Sequence, residues 1–343
     1  MNYLQWLSQE TDTVWWHDSA EPAEIAQGLA WGAKGVTTNP VLIGAALEAS
    51  WDRWADQVLE ITKDARPQER AVRVTRVLVR SAADQLRRVH EESHGRHGHV
   101  CGQLDPSLAH DSQAMVAMAE QYREFAPNVS LKFPATAAGL EALEEFCARG
   151  ASVTSTVSFS VPQVAAAAER IDRAMSRATQ AGLKPNPSFV VIMIGRIDDY
   201  LREIARDQRA PVSEADIQVA GLAVAKRAYR LLRDRGSAAR LMVAALRGTY
   251  HMTGMAGGDL VMSIHPKAQK QLLEAALPRT PGIDAPVSKE AIERLRTIPD
   301  FVRLYDLDGM LERNFLSMGL VQKTLTQFVY GGWSVLEKVR EFR

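Results

Sequence analysis

The stretch Val129-Ser130-Leu131-Lys132-Phe133-Pro134-Ala135-Thr136 decides how the chain is read. Side chains alternate along a strand, so Val129, Leu131 and Phe133 share an apolar face while Ser130 and Lys132 share the other. The apolar face suits packing under helices. The polar face suits the inside of a closed barrel, where a lysine near the C-terminal end of a strand stands at the end on which barrel active sites are built. Desolvation disfavours an ammonium there, and a free amine is a nucleophile toward ketones. The plainer alternative is a lysine whose stem packs while its head reaches water.

Working outward, strand cores are expected at 14–18, 35–38, 100–104, 129–133, 152–157, 189–194, 241–246 and 260–264. Helical patterns lie between them, at 22–31, 112–124, 139–149, 162–181, 213–235 and 267–276. Eight strands alternating with helices predict an α/β fold, a (β/α)8 TIM barrel. An open doubly wound sheet would bring a Gly-rich phosphate turn after its first strand, and none is present. The region from about 52 to 98 reads as an inserted helical hairpin followed by a His-rich loop. From about 276 to 343 a Pro-rich loop (Pro278, Pro281, Pro286) leads into a C-terminal helical extension, so 1–343 reads as one barrel domain.

Composition narrows the function. Lys plus Arg equals Asp plus Glu at 41 each, which leaves no basic field for nucleic acid or an anionic membrane. An anion must then be held by a few local cations. Two cysteines, Cys101 and Cys147, exclude a disulfide framework and a Cys-rich zinc module. The polar, acidic start lacks the pattern of a signal peptide, and no apolar run reaches membrane-spanning length. The expectation is a soluble cytoplasmic protein.

Leu131-Lys132-Phe133-Pro134-Ala135-Thr136 with Gly139-Leu140 resembles the lysine motif of transaldolases, in the class I Schiff-base aldolase superfamily. Gly35-Val36-Thr37-Thr38-Asn39-Pro40 resembles that family's second-strand signature, and Trp16-His17-Asp18-Ser19-Ala20 its first-strand aspartate segment. Similar likenesses run through 152–160, 195–200 and 241–247. The resemblance implies a barrel with its nucleophile on the fourth strand and a three-carbon ketol unit moved between sugar phosphates. The donor would be a ketose phosphate such as sedoheptulose 7-phosphate or fructose 6-phosphate. No metal or organic cofactor is implied, because the iminium is itself the electron sink. The partners implied are small sugar phosphates, with a homodimer as the expected assembly.

The same resemblance implies the site. Lys132 is the nucleophile. Asp18 is the acid/base at the C4 hydroxyl; its alternative is a helix N-cap. Asn39 and Thr38 contact substrate, although Asn39-Pro40 alone reads as a turn. Thr156 positions the water used in proton transfer. Arg196 and Arg247 hold phosphate, for which guanidinium forks are suited, against the alternative of surface salt bridges. The chain departs from the pattern at Gln103, where transaldolases carry a glutamate. Glutamine can hold a water but cannot accept a proton, and it makes this position resemble the fructose 6-phosphate aldolases. Their strand-six tyrosine aligns with Met193, and transaldolase serines align with Val191 and Ala245. Asp105 could stand in for the glutamate or simply shape the turn at Pro106.

His90, His94, His97 and His99 form a tract that could bind zinc but lacks fixed ligand spacing, so it reads as a solvated loop. Trp15, Trp16, Trp51 and Trp54 read as packing residues. Gly254–Gly258 reads as the turn into the eighth strand.

Overall fold

The computed structural model describes residues 1–342. Its eight strands are β1 (Val14–His17), β2 (Gly35–Val36), β3 (His99–Gln103), β4 (Val129–Pro134), β5 (Val153–Thr156), β6 (Phe189–Met193), β7 (Arg240–Ala244) and β8 (Val261–Ile264). All pair in parallel, each with the next, and β8 returns to β1, closing the TIM barrel. β7 stops short of its expected end because Ala245 takes a left-handed backbone, φ 55°, and turns the chain out of the sheet.

Register aligns the inward side chains in layers. Cys101 pairs with Ser130 and Gln103 with Lys132 across β3–β4. Lys132 pairs with Thr154 and Pro134 with Thr156 across β4–β5. At the barrel floor the Trp16 ring lies 4.8 Å from Phe189 and 6.3 Å from His99, centroid to centroid. Gly35 makes room for it, since a Cβ there would sit 2.4 Å from the indole. Above this floor Ser130 Oγ and Thr154 Oγ1 hydrogen-bond at 2.7 Å, satisfying two hydroxyls buried inside the barrel. The third layer carries Lys132.

The helices begin where capping chemistry predicts. Asp111 caps Ser112–Arg123, Thr136 caps Ala137–Ala148 and Ser160 caps Val161–Gln180, each accepting from a backbone N–H in the first turn. The helix expected over 213–235 is two, Glu214–Gln218 and Ala220–Arg235. The break has a cause in tertiary structure: the Gly221 N–H donates to Asp198 Oδ1 (2.8 Å) instead of continuing the helical ladder.

The hairpin between β2 and β3 is present as Trp51–Ile61 and Pro67–Glu92. The longer helix is more than an insert. Val74, Leu78, Ala82 and Leu86 form a buried stripe at helical spacing, and the helix packs on β3 as its barrel crossover. The additional material is therefore Pro40–Ala49 and Trp51–Ile61. The C-terminal extension includes Lys289–Leu295, Pro299–Tyr305 and Gly319–Phe328, a π-turn at Val329–Trp333, and Ser334–Glu337. It packs on Pro40–Ala49 at Gly332, where a Cβ would lie 2.7 Å from the Val41 nitrogen. Among the described residues no helix is long and apolar enough to cross a membrane.

The His tract is only partly a solvated loop. His94 is exposed, His97 is half-buried, and His99 is the buried first residue of β3. His99 Nε2 donates to the Gly95 carbonyl at 2.8 Å, while its Nδ1 is buried without a partner. Burial holds the His99 imidazole down at about 4, against 6.5 for a free histidine. In that interval the unfolded chain binds a proton that the folded chain refuses, so stability falls as pH drops from about 6.5 to about 4. Urea denaturation across this range should show a loss on the order of 1–3 kcal/mol, reduced in a folded His99→Gln variant.

Candidate active site

A cavity of about 410 Å³ opens at the C-terminal mouth of the barrel. Lys132, Asp18, Asn39 and Thr156 line one part of it, and Arg196 and Arg247 line another. A larger groove of about 1440 Å³ lies outside the barrel, between the helices Pro22–Ala30, Trp51–Ile61 and Pro67–Glu92. Its walls carry arginines and a single carboxylate, Asp84, which is already paired with Arg87. The barrel mouth is smaller, but it is where a lysine amine, a carboxylate and two guanidiniums converge.

Lys132 is 7% exposed. Its Nζ donates to the Thr38 carbonyl at 3.2 Å, and it forms no salt bridge among the described residues. The alternative of a lysine head reaching bulk water does not hold. The Thr38 hydroxyl points elsewhere, donating to the Cys101 carbonyl at 2.6 Å. Thr38 therefore meets Lys132 through its backbone carbonyl.

Asp18 is not a helix cap; Glu21 caps Pro22–Ala30 by accepting from the Glu24 N–H. Asp18 instead faces the cavity, and its Oδ1 accepts from Thr37 Oγ1 at 2.6 Å. Thr37 Oγ1 lies 2.6 Å from Ser263 Oγ. The ends of β1 and β2 thus meet at one carboxylate, with Ser263 of β8 backing Thr37. Thr37, just past β2, and Ser263, on β8, are not among the expected residues, although their inward positions follow from strand alternation.

Asn39 combines both readings. Its Oδ1 accepts from the Val41 and Leu42 N–H groups at 3.0 and 3.1 Å, capping Pro40–Ala49. That leaves its amide NH₂ as the end available to the cavity it lines. Thr156 closes the β5 side of the cavity, at the end of its strand. Val157 follows at φ 54°, an unusual conformation for a β-branched residue and a form of strain that collects at functional sites.

Gln103 stands beside Lys132 in the sheet register but is not part of the open cavity lining. It is buried, and its Oε1 has no hydrogen-bond partner. An orphaned acceptor at this depth is a place for a water or a substrate group. Asp105 takes the turn role instead: its Oδ1 accepts from the Ser107 N–H at 2.8 Å, and it lies outside the cavity. Burial raises the Asp105 carboxyl above its usual range.

The two arginines reach the cavity from different elements. Arg196 sits in the first turn of Ile194–Gln208. Its Nη1 donates to Thr324 Oγ1 at 3.4 Å and its guanidinium lies 5.6 Å from the Phe328 ring centroid. Its Nε is buried without a partner. Burial, and then the Arg247 charge, hold Arg196 below the usual arginine range. Arg247 follows β7 and is more exposed, with Nε and Nη2 on Asp199 Oδ2 at 2.8 and 2.7 Å. The salt-bridge alternative therefore applies to Arg247 while it still lines the cavity. Two like charges, one of them desolvated, form a place where a dianion relieves repulsion. Thr324 and Phe328 come from the C-terminal extension, and no local sequence signal ties them to this mouth. Val191, Met193 and Ala245, the positions that lack the aligned hydroxyls, also line it.

Among the described residues no cluster of three or more His, Cys, Asp or Glu is arranged to hold a metal ion.

The family model described as transaldolase/fructose-6-phosphate aldolase matches residues 15–314. Transaldolase 1 of Streptomyces avermitilis is 31% identical over 257 residues, covering 72% of this chain and 68% of that protein. Transaldolase 1 of Streptomyces coelicolor is 36% identical over 208 residues, covering 58% of this chain and 54% of its own length. The transaldolase of Thermobifida fusca is 31% identical over 258 residues, covering 71% of this chain and 69% of its own. The chain thus spans between about half and two thirds of the length of these relatives. With the closed barrel and its inward lysine on β4, these likenesses place the chain in the transaldolase/fructose-6-phosphate aldolase family.

Proposed function

We propose that this protein is a transaldolase that moves a dihydroxyacetone unit from a ketose phosphate to an aldose phosphate through a Schiff base on Lys132. The observation that carries this reading is the sharing of one cavity by the Lys132 amine, the Asp18 carboxylate and the Arg196–Arg247 pair. The chemistry runs as follows. The amine attacks the C2 ketone, and the carbinolamine loses water to leave an iminium. Asp18 takes the proton of the C4 hydroxyl as the C3–C4 bond breaks, and the bonding pair flows into the iminium to form an enamine. The aldose phosphate leaves. A second aldose phosphate enters, the enamine carbon attacks its aldehyde, and Asp18 returns the proton. Hydrolysis frees the product and Lys132. Arg196 and Arg247 hold the phosphate of the ketose before cleavage and that of the incoming aldose before addition, which fixes the distance from phosphate to carbonyl and makes each encounter effectively intramolecular.

Borohydride reduction during incubation with fructose 6-phosphate tests the core of this reading. It should add a reduced sugar fragment to the peptide containing Lys132, and Lys132→Met should abolish both adduct and turnover. Binding without an adduct would reduce the protein to a sugar-phosphate binder and sink the proposal.

A second reading, an aldolase that releases or takes up a free dihydroxyacetone-type donor, is favoured by Gln103 with its unpartnered Oε1. Without a carboxylate at this position, the proton shuttled as the Schiff base forms and hydrolyses must pass through water held by the amide. Gln103→Glu should speed transfer between fructose 6-phosphate and erythrose 4-phosphate by roughly 10²-fold. An unchanged or slower rate, with free dihydroxyacetone appearing in the absence of acceptor, would favour the aldolase.

Asn39 offers a separate test, because its two ends have different tasks. Asn39→Ala should lose about 1 kcal/mol of stability with the cap and also lower turnover. Asn39→Asp keeps the capping oxygen, so its melting temperature should stay near wild type while turnover falls. Equal melting losses in both variants would leave no room for this division of labour.

A further inference from the structure

Behind the two arginines lies a buried pair that does not line the cavity. Asp198 and His251 are both 0% exposed, and His251 Nε2 lies 2.8 Å from Asp198 Oδ2. Asp198 Oδ1 accepts from the Gly221 N–H at 2.8 Å, and Tyr250 Oη reaches Oδ2 at 3.4 Å. On its other side, His251 Nδ1 accepts from the backbone N–H of Arg247 at 3.2 Å. An imidazole that accepts at Nδ1 carries its proton on Nε2, the nitrogen facing the carboxylate. The carboxylate lies against that nitrogen without an aligned hydrogen bond, so its charge favours the Nε2–H tautomer, and that tautomer supplies the acceptor for the Arg247 backbone.

The surrounding backbone is shaped around this link. Ala245 sits at φ 55°, and the Arg247 Nη1 donates to the Ala245 carbonyl at 3.1 Å. Gly195 lies against the same loop: a Cβ there would fall 2.2 Å from the Ala245 oxygen and 2.5 Å from Arg247 Cγ. Gly221 is equally constrained, since its Cβ would meet the Ile194 oxygen at 2.2 Å and Asp198 Oδ1 at 2.8 Å. A left-handed alanine persists only where its neighbours over-determine it. Asp198 and Asp199 are adjacent on Ile194–Gln208, the helix that also presents Arg196. One helix thus grips Arg247 twice, by its side chain through Asp199 and by its main chain through Asp198 and His251.

The geometry points to Asp198 and His251 as positioning residues for the phosphate site. They set the 245–248 loop so that the Arg247 guanidinium stands opposite Arg196. The inference rests on the reading of Arg196 and Arg247 as the phosphate clamp, and it goes beyond that reading by assigning a role to two groups that do not line the cavity.

The test reads phosphate affinity, not turnover. Inorganic phosphate is titrated into the whole protein by calorimetry, and in parallel Lys132 is trapped with dihydroxyacetone and borohydride. Arg196→Ala should weaken phosphate strongly. His251→Phe, which removes the acceptor, should weaken it about ten-fold while leaving the dihydroxyacetone adduct at the wild-type level. His251→Asn, whose amide oxygen can take the place of Nδ1, should recover most of that loss. Asp198→Asn supplies a nearly isosteric second route: it removes the preference for the Nε2–H tautomer and should also weaken phosphate. Phosphate affinity lost in Arg196→Ala but unchanged in folded His251→Phe and Asp198→Asn would overturn the positioning role alone. Affinity unchanged in Arg196→Ala would overturn the phosphate assignment and this inference with it. A loss of adduct equal to the loss of phosphate affinity would mean general damage to the barrel and would also overturn it.

Discussion

The site depends on burying one amine inside a closed barrel, with a backbone carbonyl as its only hydrogen-bond partner among the described residues. Lys132 Nζ reaches the Thr38 oxygen across the mouth, and a carbonyl can orient an amine without fixing its charge by an ion pair. A carboxylate in the same place would stabilise the ammonium and oppose nucleophilic attack. Asp18 shares the cavity but is engaged by Thr37, with Ser263 behind it. The barrel thus keeps a carboxylate and an amine in one chamber without a salt bridge between them among the described residues.

That arrangement needs a rigid floor. Trp16 fills the base of the barrel against Phe189 and His99, in space left by Gly35. The layer above is polar but internally satisfied between Ser130 and Thr154. At the third layer Gln103 Oε1 is left without a partner, as His99 Nδ1 is at the floor. The acceptor left over on Gln103, beside Lys132 in the sheet, is open to completion by a water or a bound group. The cover is supplied from far away in sequence: Thr324 and Phe328 meet Arg196, while the π-turn at Val329–Trp333 seats on the start of Pro40–Ala49, the helix capped by Asn39. Packing of the C-terminal extension is thereby coupled to both ends of the cavity.

The arginine end follows another logic. Arg196 is desolvated and Arg247 is not, and each is placed by a different segment. Joining them falls to Ile194–Gln208, which carries Arg196, the Asp199 that binds the Arg247 side chain, and the buried Asp198. Burial raises the Asp198 carboxyl, while His251 and the Gly221 amide pull it back down. The same Asp198–Gly221 contact interrupts the following helix at Val219, so a local irregularity and the geometry of the mouth share one cause.

Much of this was legible in the chain itself. Strand alternation put Lys132 on an inner face, and eight apolar cores separated by helical patterns specified the barrel, because both periods are local properties of the backbone. The motif residues Asp18, Asn39, Thr156, Arg196 and Arg247 were named from resemblance, and tertiary structure brought them to one cavity. What the sequence could not decide was which end of a bifunctional group faces the site. Asn39 caps with its oxygen, Thr38 contributes its carbonyl and turns its hydroxyl away, and Asp105 serves a turn, because each outcome depends on a neighbour's position and not on residue type. Nor could it place Thr37 beside Ser263, bring Phe328 over Arg196, or join Asp198 to His251. Those pairs are separated by 226, 132 and 53 residues in the numbering, and no local period spans such distances; only closure of the barrel brings them into contact.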